Sequence, residues 1–234
     1  FSFIGISLGV AVLIIVMSVM NGFRSELINK IVGFNPHVTI KPYDHVIDIN
    51  KFKKQEIDEI TKLFLVSNNS EGVIINKDYT KGIILRGYTR KSFEKLDLVK
   101  KKNFRGNKKL NIKHISIGKE LSFLLNVGIG EKISIMSPFG VNTIIGSLPK
   151  QETYIVDSIF DSGLNEFDVN VAFININDLE NLFNLNKEKR VVELYLKNPS
   201  KIESAKMKII KNFPNHFIFS WNDTNKSLFS ALKV

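Results

Sequence analysis

From Phe1 to Phe23 the chain carries no charged side chain, and the stretch FSFIGISLGVAVLIIVMSVM is apolar apart from Ser and Gly. As a helix, a run of that length spans about 30 Å, the thickness of a bilayer's hydrocarbon core. Backbone amides left unpaired in lipid are costly, so inside a membrane the run has to be helical. A secretory signal peptide would share the apolar run, but this one is longer than a usual h-region and has no A-x-A-like cleavage site before Asn21. It reads as an anchor. The sequence starts without Met, so the basic flank that would set the orientation of the run is expected to lie outside it.

Past Phe23, the residues Leu27, Ile28, Ile31 and Val32 keep helical spacing while Arg24, Glu26 and Lys30 take other faces. The helix is therefore expected to leave the membrane and end near Gly33, with Pro36 as a stop. Gly5 and Gly9 form a G-x-x-x-G pair of the kind that lets a second helix approach closely.

Beyond Pro36 the pattern alternates between short β-rich runs and amphipathic helices. HVTIK (37–41) reads as a strand. Asn50 to Phe64 reads as a helix with Phe52, Ile57, Ile60, Leu63 and Phe64 inward, followed by strands at Val73–Asn76 and Gly82–Tyr88. A second set follows near the end: strand Val169–Ile174, helix Asp178–Leu185, strand Val191–Lys197, helix Lys201–Phe213 and strand His216–Ser220. Two such halves make a mixed sheet covered by helices, an α+β layer architecture. Between them Ile115–Ile117, Lys132–Met136 and Thr153–Phe160 are β-like, punctuated by Gly and Pro, with one short helix from Lys119 to Asn126. This middle texture reads as an inserted small β subdomain. From Trp221 the pattern turns helical, with Leu228, Phe229 and Leu232 on one face and Asn222 or Asp223 able to cap the start. No stop signal follows, and the chain is expected to continue into a second span.

The residues that catalysis needs do not assemble in this sequence. There is no cysteine, which removes disulfides, thiolate metal sites and cysteine nucleophiles. His37, His45, His114 and His216 show no H-x-x-x-H spacing, and there is no G-x-S-x-G elbow. Gly118-Lys119 is followed by Glu120 and lacks the Ser or Thr of a phosphate loop, while Val127–Glu131 leads into a strand and reads as a turn. No cofactor is expected. The formal net charge of +10 raises nucleic acid or an anionic membrane as partners, but Lys, Ile and Asn are abundant throughout, and a compositional bias is the stronger explanation of the excess. Its densest part, KKKNFRGNKKLNIK (100–113), has only Phe104 to stack on a base, so a solvated loop is the expectation, with attraction to anionic headgroups the next reading.

Three stretches carry a resemblance. GISLGVAVLIIVMSVMNGFRSELINKIVGFNPHVTI (5–40), with SVMNGFRSEL as its most specific part, resembles the first transmembrane helix and exit segment of LolC/LolE-type permeases. ISIGKELSFLLNVGIGEKISIMSP (115–138) is similar to a pattern in the extracytoplasmic domains of the wider MacB-like and FtsX superfamily, and SWNDTNKSLFSALKV resembles the approach to a second membrane helix. The resemblance implies a transmembrane helix with its extension (1–33), a mixed α/β Porter subdomain in two parts (34–104 and 166–220), a β-rich Sabre subdomain (105–165) and the start of a helix towards the next span (221–234).

It also implies a non-catalytic permease subunit of the inner membrane, its main domain in the periplasm. Such a subunit pairs with a second permease chain, the same or a sister, and with a LolD-like cytoplasmic ATPase. It extracts lipoproteins and hands them to a LolA-like carrier. In LolC-like members a Hook loop with the pattern T-P-x-G-x-x-P recruits the carrier. The matching stretch retains Thr143, Gly146 and Pro149, with Ile144 in place of the first proline; Ile145, Leu148 and Lys150 complete the expected carrier-binding set. A plain hairpin tip folded onto its own sheet would carry the same residues. For the lipoprotein, Val16, Val19, Met20 and Phe23 share one helix face near the outer end of the span, and Met suits an adaptable apolar site. Helix packing or contact with bulk lipid produces the same stripe.

Overall fold

The structure, a computed structural model, describes residues 2–43, 46–48, 55–77, 79–143, 146–224 and 226. Helix α1 (Ser2–Val32) contains the expected span, Phe3–Glu26, and none of that span is buried against the rest of the chain. Its apolar side chains cover every face, so it lacks the single stripe that would mark a helix packed on a soluble core.

In chain order there follow β1 (Val38–Pro42), α2 (Gln55–Ile60), β2 (Thr61–Asn76), β3 (Tyr79–Tyr88), α3 (Arg90–Phe93), α4 (Asp97–Lys100), β4 (Arg105–Gly106), β5 (His114–Gly118) and α5 (Lys119–Leu125). The second half holds β6 (Lys132–Thr143), β7 (Gly146–Phe160), α6 (Asn165–Asn170), β8 (Val171–Asn175), α7 (Ile176–Phe183), β9 (Val191–Leu196), α8 (Ile202–Asn212), β10 (His216–Ser220) and α9 (Trp221–Thr224). The strands join one ten-stranded sheet in the order β10-β1-β9-β2-β3-β8-β5-β7-β4, with β6 pairing both β2 and β7.

At one end of the sheet, β1-α2-β2 and β9-α8-β10 form a split β-α-β pair with antiparallel strand order β10-β1-β9-β2. Ile57, Ile202, Ala205 and Ile209 of its helices pack on Val38, Ile40, Val192, Leu194 and Leu196. The chain from 77 to 190 lies between β2 and β9 of this unit, and the expected boundaries at 104/105 and 165/166 fall within that insertion. The first half of β2 pairs with β9 and its second half with β3 and β6, so one long strand carries the sheet into the inserted part. There α5 and α7 cover Leu85, Ile115, Ile117, Ile135 and Ile174, while Phe93, Leu98 and Val99 cover Tyr88, Phe160 and Phe173 on the other face.

Two expectations about local structure are corrected. The helix foreseen over Asn50–Phe64 spans only Gln55–Ile60 among the described residues, and Thr61–Phe64 begin β2. The run LFLV at 63–66 is sandwiched between layers: Leu65 joins the core on one face, and Phe64 and Val66 pack against the α2/α8 core on the other. A strand covered on both faces loses its two-residue alternation and looks helical in sequence. Phe52 lies outside the described residues. At the C-terminal helix, the cap is Ser220 rather than Asn222 or Asp223: Ser220 Oγ accepts from Asp223 N at 3.3 Å, and the Asp223 carboxylate accepts from Ser220 N at 2.8 Å. This is a reciprocal capping box with the acid at the third helical position. Leu228, Phe229 and Leu232 lie outside the described residues.

Candidate functional site

The β6–β7 hairpin is rooted in the sheet and then leaves it. Its inner part is held on both sides: Ser134–Met136 pair with β2, and Ile155–Phe160 pair with β5. Outward of Ser137 and Lys150 the two strands pair only with each other among the described residues. The ladder shifts between Ser137 and Val141, where Pro138 has no N–H to donate. Gly140 lies in this irregularity, and a Cβ there would sit 1.6 Å from the Leu148 carbonyl oxygen. Only glycine permits that approach, so the sequence builds a bulged, re-aimed arm at this point.

Thr143 pairs with Gly146 at the end of the arm; Ile144 and Ile145 lie outside the described residues. Near that end Leu148 is 55% exposed, and Pro149 beside it is exposed too. Lys150 points back: its Nζ donates to the Asn181 carbonyl of α7 at 2.7 Å and lies 3.4 Å from Glu152. It braces the arm's root. An open cleft of about 510 Å³ adjoins that root, lined by Gly72, Val73, Gly82, Ile83, Ile84 and Pro138.

The other functional region is the exit of α1. Phe34 is buried with its ring centroid 4.3 Å from that of Phe167 in α6. His37 N donates to Leu194 O at 2.9 Å, its Nδ1 accepts from Leu196 N at 2.7 Å, and its carbonyl accepts from Trp221 N at 3.0 Å. The segment arriving from α1 and the segment entering α9 are thereby tied at one residue. Upstream in the span, Val16, Val19, Met20 and Phe23 do share a face, each more than half exposed, but so are the apolar residues of the other faces.

Beneath this exit lies a buried polar cluster. Arg86 Nη2 donates to Glu193 Oε1 at 3.0 Å and to Tyr88 Oη at 2.7 Å, Tyr88 Oη donates to Glu193 Oε2 at 2.6 Å, and Ser67 Oγ donates to Glu193 Oε1 at 2.7 Å. Arg86 Nη1 reaches Asn35 Oδ1 at 3.5 Å, linking the cluster to the α1 exit. Burial works against the Arg86 charge, yet the Tyr88 and Glu193 groups around it hold its pKa above the usual value. Burial foremost also pushes the Tyr88 hydroxyl far above its ordinary range, so it remains a neutral donor. Sequence reasoning passed over this cluster, although a signal existed: one Arg in GIILRGY and one Glu in VVELYL, each inside a run otherwise fit for a core. Among the described residues no group of His, Asp or Glu is placed to hold a metal.

Residues 1–212 match the model of the MacB-like periplasmic core domain. The chain belongs to the MacB-like periplasmic core domain family. Relatives of this MacB-like chain include the lipoprotein-releasing system transmembrane protein LolC of Neisseria meningitidis serogroup B, 26% identical over 100% of this chain and 58% of the relative. The protein of the same name from Buchnera aphidicola subsp. Acyrthosiphon pisum is 28% identical over 100% of this chain and 58% of its own length. The MacB-like chain thus spans somewhat over half the length of the curated relatives it matches. Among solved structures, the periplasmic region of MacB from Actinobacillus actinomycetemcomitans aligns over 86% of this chain and 95% of its own, with a TM-score of 0.49 and 10% identity.

Proposed function

We propose that this chain is the first membrane helix and periplasmic domain of a permease subunit that releases lipoproteins from the inner membrane, and that the β6–β7 arm recruits the soluble carrier. The observation that carries this reading is the arm itself: a hairpin that leaves the sheet at a Gly140 bulge and presents Leu148 and Pro149 to solvent. Similarity along the whole of this chain to somewhat over half of proteins named lipoprotein-releasing LolC supports it. An apolar tip held away from its own core gains by burial in a partner's cavity.

In this reading Thr143, Ile144, Ile145, Gly146, Leu148 and Pro149 meet a LolA-like carrier, with Lys150 acting as the brace of the arm's root. The split β-α-β unit serves as the Porter subdomain and the inserted β-rich part as the Sabre. Val16, Val19, Met20 and Phe23 face the lipoprotein's acyl chains. ATP is hydrolysed by a LolD-like subunit on the cytoplasmic side, a second permease chain completes the pair, and this chain contributes motion rather than chemistry.

The test is binding of the full chain in detergent to a LolA-like carrier. Leu148 is 55% exposed in the free chain. Burying the whole side chain would contribute about 1.5–3 kcal/mol, so its exposed part contributes about 0.8–1.7 kcal/mol, and Leu148→Ala should weaken binding roughly four- to twentyfold. Unchanged affinity in a folded variant would shift the reading to a MacB-like or FtsX-like permease with another partner.

A further inference from the structure

The densest run of like charge in the chain shares a core with the segment that leaves the membrane helix, Phe104 and Leu110 of the run lying in one cluster with Phe34. Lys100, Lys101, Lys102, Arg105, Lys108, Lys109 and Lys113 occur without an acid between them. Three of these are engaged: Lys100 lies 3.5 Å from Asp97, Lys101 Nζ donates to Ser162 O at 3.0 Å, and Lys113 pairs with Glu152. Lys102, Arg105, Lys108 and Lys109 are exposed and form no ion pair among the described residues.

Two chains of contacts connect the start of this segment to residues just past the end of α1. Asp97 accepts from Lys62 at 2.9 Å, and the neighbouring Thr61 pairs across the sheet with Leu196, whose N–H is bound by His37 just past the helix end. On the other side Lys101 holds Ser162, which precedes α6, and Phe167 of α6 packs on Phe34. The candidate span ends at Glu26, three residues past the uncharged run, and α1 runs on to Val32. At 1.5 Å per residue that extension is only about 9 Å, comparable to a Debye length of about 8–10 Å.

The segment is also rigid. Phe104 and Leu110 are buried in the core, Arg105–Gly106 pair with β7, and Asn107 N donates to Asp157 O at 3.0 Å. Gly106 has φ +92, and a Cβ there would sit 2.3 Å from the Asp157 carbonyl oxygen. The backbone that carries the free cations is thus held in place, and little backbone freedom is lost when they meet a charged surface.

We propose that Lys102, Arg105, Lys108 and Lys109 rest on the anionic phospholipid headgroups of the membrane that α1 crosses, and so set the tilt of the domain over that membrane. Clustered lysine and arginine next to a span are drawn to anionic lipid, an attraction that salt screens. This inference rests on α1 being a membrane span, but not on which cargo or carrier the protein serves.

The chain has no cysteine, so Asn103→Cys places a single reporter in the segment. The full chain would be reconstituted in phosphatidylcholine nanodiscs, with and without phosphatidylglycerol, and the rate of modification by a water-soluble maleimide measured. The expected result is a several-fold slower rate with phosphatidylglycerol, restored by 1 M salt and by the combined charge reversals Lys102→Glu, Arg105→Glu, Lys108→Glu and Lys109→Glu. Native fluorescence of Trp221 checks the fold of that variant. Equal rates in both lipids would overturn the proposal, as would slow rates in both that ignore salt and charge reversal, which would point to a protein contact. A Val12→Cys control should stay unreactive in both lipids; a reactive one would overturn the span itself and the proposal with it.

Discussion

Glu193 is the acceptor on which the polar cluster below the α1 exit depends. It is 1% exposed and takes hydrogen bonds from Arg86, Tyr88 and Ser67, so its charge is neutralised and solvated entirely by protein. Glu193→Gln keeps the shape but removes the anion, leaving the Arg86 guanidinium buried with only neutral acceptors: the new amide oxygen, the Tyr88 hydroxyl and the distant Asn35 amide oxygen. Breaking a buried pair on one side costs about 3–5 kcal/mol, because the remaining charge stays uncompensated. With a urea m-value of about 2 kcal/mol/M, the unfolding midpoint should fall by roughly 1.5–2.5 M. Trp221 is the chain's single tryptophan and is buried in the split β-α-β core, so its fluorescence reports the transition in the full chain held in detergent. The paired replacement Arg86→Met with Glu193→Leu removes both charges, and it should recover most of the loss. A loss below about 1 kcal/mol for Glu193→Gln, or a paired variant as unstable as the single one, would refute the claim that an uncompensated charge is the cause.

Two further outcomes follow from local geometry. Gly140→Ala would force its Cβ into the Leu148 carbonyl, so the arm should lose its aim and carrier binding should drop at least as far as with Leu148→Ala. The change lies outside the three apolar cores, so the Trp221 unfolding midpoint should move little; a large shift in that midpoint would contradict the picture of an arm separate from the sheet's stability. Asp223 is subject to burial, which raises its pKa, but its bonds to Lys206 and Ser220 outweigh this and hold it at about 2. A carboxylate depressed in this way stabilises the fold above its unfolded pKa of about 3.9. That contribution is lost as the pH falls from about 4 through 2, and Asp223→Asn should flatten stability over that window; an unchanged acid limb would show that the capping box is not its source.

The membrane helix was legible because lipid imposes a one-dimensional rule: an uncharged run of sufficient length needs no knowledge of what it packs on. The same holds for Gly33 and Pro36 at its end, and for helices such as α8, whose buried Ile202, Ala205 and Ile209 recur at helical spacing. The start of β2 was not legible, since Leu65 and the pair Phe64 and Val66 are buried on opposite faces by layers that only the fold brings together. Nor was the cap at Ser220, because Ser220, Asn222 and Asp223 are all competent caps and strand β10 decides which one stands at the turn.

At the candidate site the division is similar. The family resemblance drew attention to Gly146 and Pro149, which lie on the β6–β7 hairpin, and the sequence by itself displayed the basic run at 100–113 and the lack of cysteine. Tertiary structure alone decided that Lys150 braces the arm on α7 rather than projecting from its tip. It also joined Arg86 to Glu193 across strands far apart in the chain, and brought Phe104 and Leu110 of the basic run into one core with Phe34. The physical reason is that periodicity and composition report on each residue's immediate surroundings, whereas a charge's meaning depends on what the folded chain brings within a few ångströms of it.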